Sequence, residues 1–517
     1  MQFIFEPTKA PNLHISKMNP SFFRLKERIA EVADLKSAAA VLEWDQETYM
    51  PEGAGEVRAH QVATLRKLAH SLLTSDEAAL LLDEAIHSED PPTPHSDHHL
   101  LLTIWKRDMD RARKLPSELV FKKSKAIGYA KESWKQARLH QDFSRFESDL
   151  SRLVDFARQE SAILGYSEHP YDALLDEFEP GMTTQQVKTL FEDLRKELIP
   201  LVQQMTVAPQ PADAFLYQKF DSAKQWDLGM YALKSVGYDF SRGRQDLSTH
   251  PFSATFDISD VRITTRILEH NLISGIFSTL HEFGHALYEQ QIDPKWRRTL
   301  VAEGTSLGIH ESQSRLWENH IGRSFPFWTS LFPTLQSYFP ESLSGITLQD
   351  FYRAINRVTP SLIRVEADEV TYPLHVLLRF ELEADLIEGL LEVRDLPEIW
   401  RTKMQSYLGV TPKNETEGVL QDIHWSLGAF GYFPTYTLGT LYAAQFYEQA
   451  SASLGDLDNQ IKAGNFAPLR EWLRTQIHQF GRSKSASMLV NQITGSGLTT
   501  APWIQYIKKK YGEIYEL

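Results

Sequence analysis

Residues 281–285 read His-Glu-Phe-Gly-His. On a helix, positions four apart differ by about 40° of rotation, so His281 and His285 project from one face, one turn apart, and their imidazole nitrogens can hold one divalent cation. Glu282 lies about 60° from His285 around the same axis. It flanks the metal position without ligating, where it can take a proton from water, the general-base role of metal-assisted peptide hydrolysis. Such a site needs a third protein ligand and an open fourth position. Tyr288 stands where the extended three-histidine pattern requires glycine, and no histidine follows at its spacing. The third ligand is therefore expected to be a carboxylate on a later helix. Glu303, Glu311 and Glu318 are candidates. Glu311 lies in a segment that reads as helical, with Arg315 four residues on to orient its carboxylate. Glu303 adjoins Gly304 in an expected loop, and Glu318 reads as part of a solvated helix face.

Composition restricts this chemistry further. The 517 residues include no cysteine, which excludes a disulfide scaffold, a thiol nucleophile and any Cys-ligated zinc or iron–sulfur centre. One metal per chain is expected, held by nitrogen and oxygen donors: Zn²⁺ foremost, with Co²⁺ or Mn²⁺ accepting the same ligands. Lys and Arg number 54 against 68 Asp and Glu, a net charge of −14, which argues against nucleic acid as a partner. The N-terminal sequence lacks a basic start and places Glu6 and Pro7 inside what would be an apolar leader, so it does not read as a secretory signal. Zero cysteine suits a cytoplasmic location. Residues 425–447 carry no charge, but Gly428, Gly431, Pro434 and Gly439 interrupt them, so they read as a buried or cleft-lining stretch and not as a membrane span.

The elements that must position these groups read as helix after helix. Apolar residues recur at spacings of three and four over about 22–44, 55–73, 76–87, 98–114, 117–140, 143–164 and 184–204, with Pro116 at a helix start and Thr183 as a cap. Helices resume at about 269–290, 305–320, 348–357, 373–390 and 396–408. Strand character is confined to about 247–267, where VRITTRI alternates. Residues 88–99 and 207–214 are short proline-rich connections, and His95, His98 and His99 read as part of an exposed turn. The expectation is a mainly α fold: a single large helical domain over 20–517 around a deep substrate cleft, one small β-sheet near the metal site, and an irregular extension over 1–19. No fixed repeat supports a solenoid.

Several short motifs carry a resemblance. In order they are His250-Pro251-Phe252; Asp260, Arg262 and Thr264; the pentapeptide 281–285; His310-Glu311-Ser312-Gln313; Ile363-Arg364 with Ala367-Asp368; and Gly418, Gln421, Asp422, His424 and Trp425. With LEWDQETYMP at 42–51, they resemble the carboxypeptidase Taq family of metallocarboxypeptidases, family M32, over nearly the whole chain from about Phe22. The resemblance implies a mostly helical fold with a cleft and a homodimer. It implies removal of single C-terminal residues from peptides with broad specificity and poor action on C-terminal proline. It makes His281, His285 and Glu311 the metal ligands, Glu282 the base, and Arg364 the group that binds the substrate's C-terminal carboxylate.

The last role has its own physical reason. A guanidinium offers a carboxylate two parallel hydrogen bonds, and a buried unpaired one penalises a substrate that lacks the charge. The structural alternative for Arg364 is an ion pair with Asp368 at i+4. Arg262 is a weaker substrate-binding candidate that can instead pair with Asp260. His250, His424 and Tyr436 are candidate donors to the oxyanion of a tetrahedral intermediate; Tyr436 can equally be a core tyrosine. Two other readings stand beside this one: an HExxH endopeptidase of the oligopeptidase type, and a helical binding protein with a relict metal site, against which an intact Glu282 argues.

Overall fold

The computed structural model describes residues 19–88, 92–93 and 96–517. The expected extension over 1–19 lies outside them except for Asn19, which caps the first helix by accepting from Ser21 N–H. His95 lies outside them too. His98 and His99 open the Asp97–Lys114 helix instead of sitting in a turn, and the His98 ring packs 4.4 Å from that of Phe22.

Among the described residues the chain forms twenty α-helices and one three-stranded sheet, a mainly α fold as the periodicity predicts. Predicted boundaries hold to within a few residues where caps are strong. Thr183 forms a reciprocal capping box with Gln186 at the head of Thr184–Val207, and Ser117–His140 begins directly after Pro116. Residues 434–447 of the uncharged stretch form most of the Pro434–Leu454 helix, buried along most of its length, and the part before it is a 3₁₀ turn and a loop. No helix among the described residues is long and apolar enough to cross a membrane.

The sheet comprises β1 (Gln245–Leu247), β2 (Ser253–Asp257) and β3 (Asp260–Thr265), in the order β1-β3-β2. β1 runs parallel to β3, with Gln245 opposite Ile263, and β2 runs antiparallel, with Ser253 opposite the same residue. The alternation predicted for VRITTRI holds at Val261, Ile263 and Thr265, which are buried on one face, and fails only at Thr264, which is buried as well. At Thr265 the strand passes beneath the Leu272–Gln290 helix, and the Thr265 hydroxyl bonds Gly275 O and Ser278 Oγ at 3.1 and 2.7 Å. The sheet is thus the platform of the motif helix. Trp44 and Tyr49, from LEWDQETYMP, close its edge by stacking under Arg262 and Arg244. One large apolar core runs through most of the chain. A smaller one joins the N-terminal helices, through Phe22, Leu25 and Trp105, to Trp296 and Val301.

Candidate active site

The motif helix starts at Asn271, whose side chain accepts from Ile273 and Ser274 N–H and so satisfies orphan donors of the first turn. The Leu307–Arg315 helix starts likewise at Ser306, which accepts from Ile309 N–H, and the buried Glu179 accepts from Gly308 N–H at 2.9 Å. Two glycines set how closely these helices meet. A Cβ at Gly284 would run into the backbone of Gln313 and Ser314, and one at Gly439 would lie 2.6 Å from Glu311 Cβ. The Leu307–Arg315 helix is therefore clasped between the motif helix and Pro434–Leu454: a larger residue at Gly284 would force it off the motif helix, and one at Gly439 would displace the Glu311 side chain itself.

This packing brings His281, His285 and Glu311 together, with one donor atom from each within 4.8 Å of the others. Glu311 Oε2 lies 3.7 Å from His281 Nε2 and 3.5 Å from His285 Nε2. Ligands on ~2.05 Å bonds to a tetrahedral ion stand about 3.3 Å apart, so the donor set fits a small divalent cation with little adjustment. The two imidazoles keep 21% and 18% of their side-chain surface accessible, so one side of the cluster is open to solvent. Glu303 is not part of the cluster; it is half exposed, 3.8 Å from Arg482.

Behind the cluster, each group has a fixed partner. Arg315 Nε donates to Glu311 Oε1 at 2.6 Å, the orientation expected from their i, i+4 spacing. His281 Nδ1 lies 2.8 Å from Glu318 Oε2, and Arg315 also reaches that carboxylate. Glu318 thus lies behind a histidine and not on the predicted solvated face. The segment HESQSRLWENH looks exposed in composition, yet Ser312, Gln313, Ser314 and Asn319 are buried, because pairing, not solvent, satisfies their polar groups. His285 is backed differently: its Nδ1 lies 2.6 Å from His310 Nδ1, and His310 Nε2 lies 2.8 Å from Glu289 Oε1.

Electrostatics follow from these contacts. Burial disfavours a charged His281, but Glu311 and then Glu318 outweigh it and raise its pKa to about 9. Burial also opposes ionisation of Glu311, yet Arg315 and the two imidazoles hold it far below the usual carboxylate range. Glu282, only 5% exposed, is pushed up to about 7 by burial, with Glu311 and Glu318 adding to the rise against His281. A carboxyl titrating near neutrality beside a cation site is suited to move a proton in both directions.

Arg364 is buried at 5% exposure in a short 3₁₀ turn, where the i+4 geometry expected for a pair with Asp368 does not exist. Asp368 instead accepts backbone N–H groups of Thr359, Val370 and Thr371. The partner of Arg364 is Asp422, whose Oδ1 accepts from Nε and Nη2 at 3.0 and 2.8 Å, while Nη1 donates to the Tyr372 hydroxyl at 2.6 Å. Tyr372 also stacks against Arg315, 4.3 Å from its ring centroid. One continuous path thus links Glu311, Arg315, Tyr372 and Arg364. Tyr436 and His424 join it: the Tyr436 ring lies 4.8 Å from the Arg364 guanidinium, and its hydroxyl lies 3.1 Å from His424 Nε2. Arg262 and His250 do not join it in any described contact. Arg262 pairs with Asp260 through two bonds of 2.9 and 2.8 Å, and His250 is exposed between β1 and β2, offering its carbonyl to Ser248. Sequence reasoning gave no role to Tyr372, His310 or Asp422; the last two lay within quoted motifs, and Tyr372 carried no signal.

A histidine pair on one helix, a converging carboxylate from the next and a surrounding helical shell are the features expected of a helical metallopeptidase. The profile described as Carboxypeptidase Taq (M32) metallopeptidase matches residues 24–511. The chain is 39% identical over 507 residues to Carboxypeptidase 1 of Bacillus subtilis, covering 98% of this chain and 100% of that protein. It is 40% identical over 506 residues to Thermostable carboxypeptidase 1 of Thermus thermophilus, covering 96% and 99%. The crystal structure of M32 carboxypeptidase from Deinococcus radiodurans R1 aligns with a TM-score of 0.94 at 39% identity, over 96% of this chain and 100% of that one. The chain belongs to the carboxypeptidase Taq (M32) metallopeptidase family, which implies a divalent metal and peptide substrates.

Proposed function

We propose that this protein is a metal-dependent carboxypeptidase that releases single C-terminal residues from peptides with broad specificity. His281, His285 and Glu311 hold the ion, with zinc foremost and cobalt or manganese as alternatives for the same donors. When bound, the ion supplies Lewis acidity toward water and the scissile carbonyl. Glu282 takes the proton of the attacking water and passes it to the leaving amine, a shuttle supported by its buried position directly after the ligand His281. Arg364 anchors the terminal carboxylate through the N–H groups that Asp422 and Tyr372 leave unused. Tyr436 and His424 stand beside that anchor as donors toward the substrate. The resemblance supports a homodimer, and the absence of cysteine is compatible with a cytoplasmic location.

The observation that carries this reading is the contact path from Glu311 through Arg315 and Tyr372 to Arg364. It supports recognition of a chain end near the reacting bond, because only Arg315 and Tyr372 separate the buried Arg364 guanidinium from Glu311. Digestion of a peptide and its C-terminal amide, followed by mass spectrometry, tests it. A single-residue ladder from the acid and no cleavage of the amide is expected. Internal cleavage of the amide would overturn the carboxypeptidase reading in favour of an oligopeptidase-type endopeptidase.

A further inference from the structure

Arg379 lies outside every motif that carries the resemblance. It sits in the middle of the Tyr372–Glu388 helix, fully buried, with its guanidinium 4.6 Å from the Trp400 ring. Its Nε donates to Asp422 Oδ2 at 2.7 Å, Nη2 lies 2.6 Å from the same oxygen, and Nη1 donates to the carbonyl of His375. Asp422 thus gives one oxygen to Arg379 and the other to Arg364.

The charge count follows from this sharing. If Asp422 faced Arg364 alone, the pair would be neutral and would offer an incoming carboxylate little attraction. Shared between two guanidiniums, it leaves a surplus positive charge in a site nearly closed to water, where an uncompensated charge is costly. The neighbouring imidazoles do not add to the surplus: burial and the two arginines keep His375 and His424 neutral. Glu383, one turn further along the helix, does not cancel it by contact. Its carboxylate accepts from Tyr171, Trp425 and Gly431 N–H and makes no ion pair with Arg379 among the described residues, and burial pushes its pKa up to about 7.

We propose that Arg379 is a positioning residue for chain-end recognition: it draws off half of Asp422, so that Arg364 stays fixed yet keeps a net positive field that the substrate's α-carboxylate completes. This inference rests on the reading of Arg364 as the carboxylate anchor. The Arg379 side chain itself need not touch substrate.

The test uses the metal-loaded enzyme and an N-blocked peptide with a free C-terminus. Arg379→Met should raise KM on the order of tenfold or more, with kcat changed by less than about threefold and metal content unchanged. Arg379→Lys, which keeps the charge, should restore most of the affinity. The double variant Arg379→Met with Asp422→Asn leaves Arg364 as a lone cation and should recover KM several-fold relative to Arg379→Met; a merely structural role predicts a further loss. If Arg379→Met fails to fold, the lysine and double variants still decide: an elevated KM in both, similar to that of Arg364→Ala, overturns the proposal. So does an unchanged KM in a folded Arg379→Met. Arg364→Ala separates the two claims. If it leaves KM unchanged, the anchor reading fails; if it raises KM while Arg379→Met does not, only the role of Arg379 fails.

Discussion

Two buried ionic clusters flank Tyr372, and their charge imbalances have opposite sign. On one side, Glu282, Glu311 and Glu318 converge on two imidazoles; Arg315 pairs with both Glu311 and Glu318, as His281 does, and Arg323 lies 3.8 Å from Glu318. The elevated pKa of His281 is the mark of a cluster short of positive charge. On the other side, two guanidiniums share the single carboxylate of Asp422. On the proposed function, each cluster omits the charge of its ligand: a dication in the first, a chain-terminal carboxylate in the second. The difference teaches that, if the proposed ligands bind there, their affinity rests on charge preorganised when the protein folds.

The largest way to break the first half of the comparison is to remove the cation. Chelation should abolish peptide release, and return of Zn²⁺, Co²⁺ or Mn²⁺ should restore it; metal analysis of the purified protein identifies the resident ion. Glu282→Gln should lower kcat by about 10²–10⁴-fold with metal content unchanged. A metal-loaded variant with near wild-type turnover would remove Glu282 from the proton-transfer role. Glu318→Gln should act more gently, weakening metal affinity by about 10–100-fold in a chelator competition, because it removes the acceptor behind His281 and not a ligand.

A smaller effect sharpens the contrast by using a carboxyl that makes no ion pair among the described residues. Glu179 accepts hydrogen bonds from Gly308 N–H and the Tyr442 hydroxyl, and burial raises its pKa to about 7. Its unfolded value is near 4.3, so the native state holds the extra proton between the two. The stability it contributes is complete below the unfolded value, falls as pH rises toward 7 and is lost above it, a span of about 4 kcal/mol. The melting temperature of Glu179→Gln, measured on metal-free protein, should therefore fall less between pH 5 and pH 8 than that of wild type. Equal slopes would show that burial of this carboxyl does not set its titration.

How much of this was legible in sequence differs between the two clusters. The metal side was largely readable, because helical periodicity fixes where His281 and His285 point, and i, i+4 spacing fixes Arg315 on Glu311. Glu318 was misread: a run of polar residues looks the same whether water or ion pairs satisfy it. The arginine side was mostly illegible without the resemblance. Asp422 meets Arg364 and Arg379 across 58 and 43 residues, and no local pattern encodes such a meeting. The sheet was placed correctly, and its alternation fails only at Thr264, buried on the other face where its hydroxyl accepts from the Ser248 hydroxyl and Phe252 N–H. The close approach of the ligand helices depended on Gly284 and Gly439, whose need for hydrogen in place of a side chain appears only once the partner backbones are known.

The central claim, that a buried guanidinium beside the metal cluster reads the free chain end, is tested most directly by one ratio. It is kcat/KM for a peptide divided by that for its C-terminal amide, measured on wild type and on Arg364→Ala at equal metal content. The account predicts a strong preference for the acid in wild type and a collapse of the ratio by about 10²-fold in the variant. A ratio that stays the same in both proteins would contradict it.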